Sequence, residues 1–371
     1  MKILIIHAAE VFSYPPVINL VKNLLANGHE LTLVTYDVRG LDDKSLESIQ
    51  TVILNPRNKG NIISRLLNYP IRKKELKEAL KKFGKDSDIV WTTTDITVRD
   101  LGKELLNYKH VMQLMELVED IPFIPYQKVL KTNLKLYAQR AYKVVVPEIN
   151  RAYIQKTWWE LKNTPVVLPN KPYTLTLGNL NENEKEALSL IKNETRKIIL
   201  YQGVFAPDRD LDVFAKAIEI LGEDKYCLYI MGKDNELRKS LSTKYKNVKY
   251  LGFIPAPNHL YFTKYAYIGL LPYQPSTECW HYSILNAMFC APNKIYEYSA
   301  YGIPMIGTDV AGLAEPFANY EMGICCKRIT PESVREAVYQ IEDRYLEMKE
   351  NAYKFYKDID LDGIVNEILY H

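Results

Sequence analysis

The stretch KIILYQGVFAPDRDLDVFAKAIEIL, residues 197–221, decides how this chain is read. An apolar run ends at Gly203, a polar turn follows through Pro207, Asp208, Arg209 and Asp210, and apolar residues then return at helical spacing. A strand with no polar face, then a turn, then an amphipathic helix is the repeating half of a parallel sheet covered on both sides. The pattern recurs downstream. YCLYIMG, VKYLGF, AYIGLLPY and PMIGT read as further buried strands, with ELRKSLSTKY and a helix in PNKIYEYSAYGIP (292–304) among them.

The same grammar runs upstream. KILIIHA, ELTLVTY, TVILN, DIVWTT, HVMQLMEL and KVVVPE read as strands, and PPVINLVKNLLANGH as a helix closed by Gly28. A chain of 371 residues is too long for one ordinary core. The expectation is an α/β protein of two Rossmann-like doubly wound domains: residues 1–170, a polar linker over 171–195, a second domain over 196–345, and helices over 346–371 returning to the first. Two such domains would face a central cleft, with ligands beyond the carboxyl ends of the strands.

Bulk properties narrow the function. Net charge is +3, but residues 1–170 carry about +7 and the remainder about −4, so the first half is the side to meet an anionic partner. Five cysteines (Cys227, Cys279, Cys290, Cys325, Cys326) form no Cys-x-x-Cys, and free thiols are expected. The opening MKILIIHAAE has too short an apolar run for a signal segment, and no run approaches the roughly twenty residues of a membrane span, which favours the cytoplasm. No Gly-x-Gly-x-x-Gly opens a helix and no phosphate loop ending in Gly-Lys-Ser/Thr occurs, so dinucleotide and ATP chemistry lose support. No nucleic-acid-binding module is recognisable, and no nucleic-acid partner is expected.

Single glycines instead close successive strands of the second half: Gly203, Gly232 and Gly252. Each would let backbone come close to a ligand. Arg209 stands just ahead of one helix, and Asn293 and Lys294 open another, predicted to run about ten residues to Gly302. Two cations converging from different strand ends suit a diphosphate. Glu297, one turn after Lys294, is open to two readings: half of a surface ion pair, or a ligand-facing carboxylate.

In order along the chain, YQGVFAPDRDLD, LYIMG, NVKYLGFIPAPNHLYFTKYAYIGLLPY and APNKIYEYSAYGIPMIGTDVAGLAE resemble the C-domain motifs of family 4 (group 1) glycosyltransferases, enzymes of the GT-B fold. The resemblance covers most of residues 197–315; the first half is similar only in its strands and in VVLPN. It implies transfer of a sugar from a UDP- or GDP-sugar to a saccharide or lipid-linked saccharide, as in bacterial cell-surface polymers, with the anomeric configuration retained and without an essential metal. It also implies that Glu297 accepts hydrogen bonds from the ribose and that Arg209 and Lys294 neutralise the diphosphate. Backbone near Phe253 and Ile254 would read the base, Gly312 would let a loop approach the donor, and Gly203, Gly232 and Asn293 would line the site. The carboxylate usual eight residues before Glu297 is replaced by Phe289, so sugar contacts pass to Asn286 or to backbone; Val204 stands where an arginine is common. A catalytically silent partner protein and a non-hydrolysing sugar-nucleotide epimerase are the alternatives.

In the first half, a histidine usual in the family maps near QLMELVED, where Met115 and Glu116 stand, with Glu119 nearby. Asp95, after the strand DIVWTT, faces the acceptor or caps the next helix. Glu116 and Asp95 are the catalytic candidates there, and His7 ends the first strand. The pair in DSD (86–88) lies at the wrong end of a strand for a ligand and reads as a solvated turn. Between Arg72 and Lys85, lysines surround a stripe of Leu76, Leu80 and Phe83, preceded by Ile62, Ile63, Leu66 and Leu67. This is either a domain helix with a solvated face or a peripheral contact with the anionic inner face of a membrane.

Overall fold

The computed structural model describes residues 1–55, 62–122, 131–175, 177–275 and 284–371. The chain divides into two compact units, Met1–Thr174 with Asp360–His371, and Leu175–Trp280 with Ile284–Ile359.

In the first unit a seven-stranded sheet is built from β1 (Lys2–Glu10), β2 (Glu30–Asp37), β3 (Gln50–Ile53), β4 (Ile89–Thr93), β5 (His110–Gln113), β8 (Lys143–Val146) and β9 (Val166–Val167). Their order is β3-β2-β1-β4-β5-β8-β9, and the ladders are parallel. A small antiparallel pair, β6 (Asp120–Pro122) with β7 (Lys131–Asn133), was not legible in the sequence. The strands named from the sequence are all present, because burial on both faces demands the continuous apolar runs that betray them. The terminal helix Leu361–Tyr370 belongs to this unit: Asp362 accepts hydrogen bonds from Asn23 of the helix Pro15–Ala26 and from Asn27 at its C-cap, each at 2.8 Å.

The second unit holds β10 (Lys197–Gln202), β11 (Tyr226–Met231), β12 (Val248–Tyr250), β13 (Ile268–Leu271), β14 (Met305–Thr308) and β15 (Gly323–Cys326), ordered β12-β11-β10-β13-β14-β15 and all parallel. Along β10 the side chains alternate between two cores. Ile198 and Leu200 join one face with Tyr229, Leu271 and Tyr298; Ile199 and Tyr201 join the other with Phe214, Ile230 and Leu270. The opening stretch folds as read: β10, a turn, and a helix at Asp212–Leu221 that buries Phe214, Ala215, Ala217, Ile218 and Leu221. β15, the run GICC, was missed; its strand is only partly buried until Cys326.

The basic helix Ile62–Gly84 is a domain helix over its second half. Leu76 and Leu80 are fully buried in the first unit's core with Phe83 packed alongside, so this stripe is not free for a bilayer. Lys77 and Lys81 approach Glu104 at 3.7 and 3.6 Å, and Lys74 approaches Glu78 at 3.8 Å. The side chains of Ile62, Ile63, Leu66 and Leu67 lie outside the described part of the chain, as does Cys279. The other four cysteines are free thiols. In DSD, Asp88 accepts the Lys2 backbone N–H at 2.8 Å, so this carboxylate pins the start of β1.

Candidate active site

In each sheet the strand order reverses beside the first strand, between β1 and β4 and between β10 and β13. Open α/β sheets bind ligands beyond the carboxyl ends of their strands at that point. In the second unit, backbone is stacked there. Gly203 donates to the Met231 carbonyl at 2.9 Å, and Gly232 to the Gly252 carbonyl at 3.0 Å. A Cβ on Gly232 would stand 1.9 Å from the Gly203 carbonyl oxygen, so only glycine allows these chain ends to close up. Gly203 has φ of +148°, and a Cβ there would meet Cε and Nζ of Lys294 at 2.6 and 2.8 Å. The missing side chain makes the bed on which the lysine lies.

Arg209 and Lys294 do converge, and what gathers them is Tyr273, two residues past the end of β13. The Arg209 guanidinium lies 4.4 Å from the centre of the Tyr273 ring and donates to Asp208 at 2.5 Å. Lys294 Nζ is 6.0 Å from the same ring centre and 3.4 Å from the tyrosine hydroxyl. Cations against an aromatic face gain from its quadrupole while keeping donors for a ligand.

Lys294 and Glu297 sit on the helix Asn293–Ser299, seven residues rather than about ten, with Pro292 at its N-cap. Glu297 is only 4% exposed, and its hydrogen-bond partners come from elsewhere in the unit. Its Oε2 accepts from Gln202 Nε2 at 2.5 Å, and its Oε1 pairs with His259 Nε2 at 3.0 Å. The Thr263 hydroxyl lies 2.8 Å from Gln202 Oε1. Burial opposes ionisation of the Glu297 carboxyl, yet the charges of His259 and Lys294, with the hydrogen bonds from His259 and Gln202, hold it below the ordinary glutamate range. This carboxylate is not half of a surface ion pair.

The remaining donor-site candidates are spread around this centre. Phe253 is exposed, with Lys233 Nζ 5.2 Å from its ring centre, whereas the Ile254 side chain is buried in the core. Asn286 is half-buried on the short helix Ile284–Met288, and Asn293 is half-buried at its helix start. A Cβ on Gly312 would meet backbone of Cys290 and Phe289 at 2.2 to 2.9 Å, so the close approach at this glycine is made by the chain's own backbone.

In the first unit the switch point carries different groups. His7 does not end its strand, since β1 runs on to Glu10; its Nδ1 meets the hydroxyl of Thr93, the last residue of β4, at 2.8 Å. The next residue, Thr94, has φ of +77°, a conformation costly for a β-branched side chain. Thr94, not Asp95, caps the helix Asp95–Leu101, accepting from the Thr97 backbone N–H. Asp95 is the buried first residue of that helix; burial and then the neighbouring Glu116 carboxylate push its pKa up to about 6, against the opposing charge of Arg99. Among the described residues, no group of three or more His, Cys, Asp or Glu side chains is placed to hold a metal ion.

Sequence reading missed Gln202, Thr263, His259, Tyr273 and Asp208. Only Gln202 left a trace, a polar residue ending an apolar strand directly before Gly203.

Two parallel-sheet Rossmann-like units define the GT-B class, and solved structures of that build match the whole chain. Sucrose-phosphate synthase from Thermosynechococcus elongatus superposes with a TM-score of 0.67 at 16% identity, covering 99% of this chain and 97% of that one. The Anabaena protein Alr3699/HepE, in complex with UDP and glucose, gives 0.66 at 12%, covering 99% and 98%. A putative UDP-N-acetylglucosamine 2-epimerase from Listeria monocytogenes gives 0.63 at 14%, covering 100% and 94%, so the fold alone does not separate these activities. No curated protein matches the sequence. Residues 196–343 match the family model described as Glycosyl transferases group 1. That match falls in the second half of the chain, and the fold of the whole chain is that of the GT-B structures.

Proposed function

We propose that this protein transfers a sugar from a UDP- or GDP-sugar to a hydroxyl of a saccharide or lipid-linked saccharide. The observation that carries the reading is the convergence of Arg209 and Lys294 on Tyr273 beside Gly203, with the ionised, buried Glu297 one helical turn from the lysine. In this reading the diphosphate lies over Gly203, where both cations offset the charge that builds on it as the glycosidic bond breaks. The Glu297 oxygens accept from the ribose hydroxyls, and the base stacks near Phe253. No metal is needed for this charge balance.

The incoming hydroxyl is received by the first unit, where Asp95 and Glu116 hydrogen-bond the acceptor. A diphosphate oxygen takes the proton on the face the leaving group vacates, and the configuration is retained. The exposed lysines of the helix Ile62–Gly84 favour an anionic acceptor or a cytoplasmic location at the inner membrane face, in the synthesis of cell-surface glycans.

The test is a panel of nucleotide sugars with and without candidate acceptors, read as nucleoside diphosphate released. Release that rises with an acceptor, together with a glycosylated product, is expected. Interconversion of sugar epimers without transfer, or binding without turnover, would contradict the proposal.

A further inference from the structure

Glu297 is held by more than its own helix. Gln202 ends β10 and His259 precedes the short helix Leu260–Thr263, so the two partners reach the carboxylate from different parts of the second unit. A buried carboxylate with a single partner would be free to rotate between partners and would resist ionisation. Here each oxygen has its own donor, which fixes the plane of the carboxyl group. An ionised carboxylate offers about four lone-pair sites, so roughly two stay open after these contacts. Thr263 adds a third layer. Its hydroxyl, by donating to Gln202 Oε1, turns the amide so that the NH₂ end faces Glu297 and the oxygen does not.

We propose that Gln202 and His259, with Thr263 behind Gln202, are positioning residues that fix the Glu297 carboxylate to recognise a ribonucleoside diphosphate through its ribose hydroxyls. The inference rests on the donor-site reading above and adds a specificity to it: the site selects ribose over deoxyribose because the carboxylate cannot swing to another partner. A merely structural network would support the fold equally whichever sugar the nucleotide carries.

The experiment compares binding of UDP and GDP with their 2′,3′-dideoxy forms by calorimetry, using the full chain and whichever base binds. Wild type should prefer the ribo form on the order of tenfold to a hundredfold, the range for hydrogen bonds to a charged group. His259→Leu and Gln202→Ala should lose affinity for the ribo form and leave the dideoxy form nearly unchanged, so the preference falls towards one. His259→Gln, which retains an N–H donor, should restore most of it. Thr263→Val is the mild variant if the others fail to fold; it should reduce the preference severalfold with an unchanged melting temperature. A preference that survives in folded Thr263→Val and His259→Leu, or ribo and dideoxy affinities that fall together, would overturn the inference while leaving Glu297 as the ribose contact. A wild type without any preference would instead remove the ribose contact itself.

Discussion

The two units share one architecture and put opposite chemistry at the same place in it. At the β10–β13 switch point glycines follow β10 and its neighbour β11, the cations that gather are Arg209, paired with Asp208, and Lys294, and the buried Glu297 carboxylate is pinned in an ionised state. At the β1–β4 switch point the first strand-to-helix turn has no glycine, Thr94 is strained, and the buried Asp95 is pushed towards neutrality. A parallel sheet thus supplies a location, and the residues past the strand ends decide what it attracts. In the proposed reading, the second unit takes an anion approached by backbone and cations, and the first a neutral hydroxyl partner near a protonatable carboxyl.

The contrast can be broken most severely at Gly232. Replacing it with alanine drives a Cβ into the Gly203 carbonyl, and denaturant unfolding should report a loss of about 3 kcal/mol or more. Next in size, Glu297→Ala should weaken nucleoside diphosphate binding by about 1–3 kcal/mol in calorimetry. Gly203→Ala should act similarly through a different route, by lifting Lys294 off its bed while most of the stability remains.

The first unit is sharpened by pH. The folded pKa of Asp95, about 6, lies above its ordinary value of 3.8. Below about pH 4 the carboxyl is protonated in both states and costs nothing. Between about pH 4 and 6 the unfolded chain releases this proton first, so this group makes stability fall as pH rises, and above about pH 6 the full cost stands. Asp95→Asn should therefore stabilise the protein by about 2 kcal/mol at pH 8 and by little at pH 4, read from chemical denaturation at the two pH values. The smallest effect is expected on the basic helix: Lys81→Ala removes the more exposed of two lysines near Glu104 and should change stability by less than about 1 kcal/mol.

Legibility in the sequence followed the same physics. Buried parallel strands announce themselves as apolar runs, so most of the sheets were readable, whereas the Asp120–Pro122 pairing depends on residues nine to thirteen positions away. Gly203, Arg209, Lys294 and Glu297 could be singled out because each stands close to a strand end or helix start; the convergence of Arg209 and Lys294 is what the fold adds. Gln202 and His259 were not: they lie 95 and 38 positions from Glu297, and only the folded chain brings them to it. The pairing of Lys294 with Glu297 failed for a related reason, since a buried carboxylate takes the partners its core offers before a neighbour on its own helix. For the basic helix, spacing gave the stripe correctly but could not say whether core or membrane covers it; Leu76 and Leu80 are covered by core.

The central claim is that the nucleotide is held by the second unit's switch point. Calorimetric titration of UDP and GDP into wild type, Lys294→Ala, Glu297→Ala and Asp95→Asn tests it directly. The account predicts that one nucleotide binds wild type, that both second-unit variants lose affinity at least about tenfold, and that Asp95→Asn binds as wild type does while transferring sugar more slowly. Undiminished binding by folded Lys294→Ala and Glu297→Ala, or an equal loss in Asp95→Asn, would contradict it.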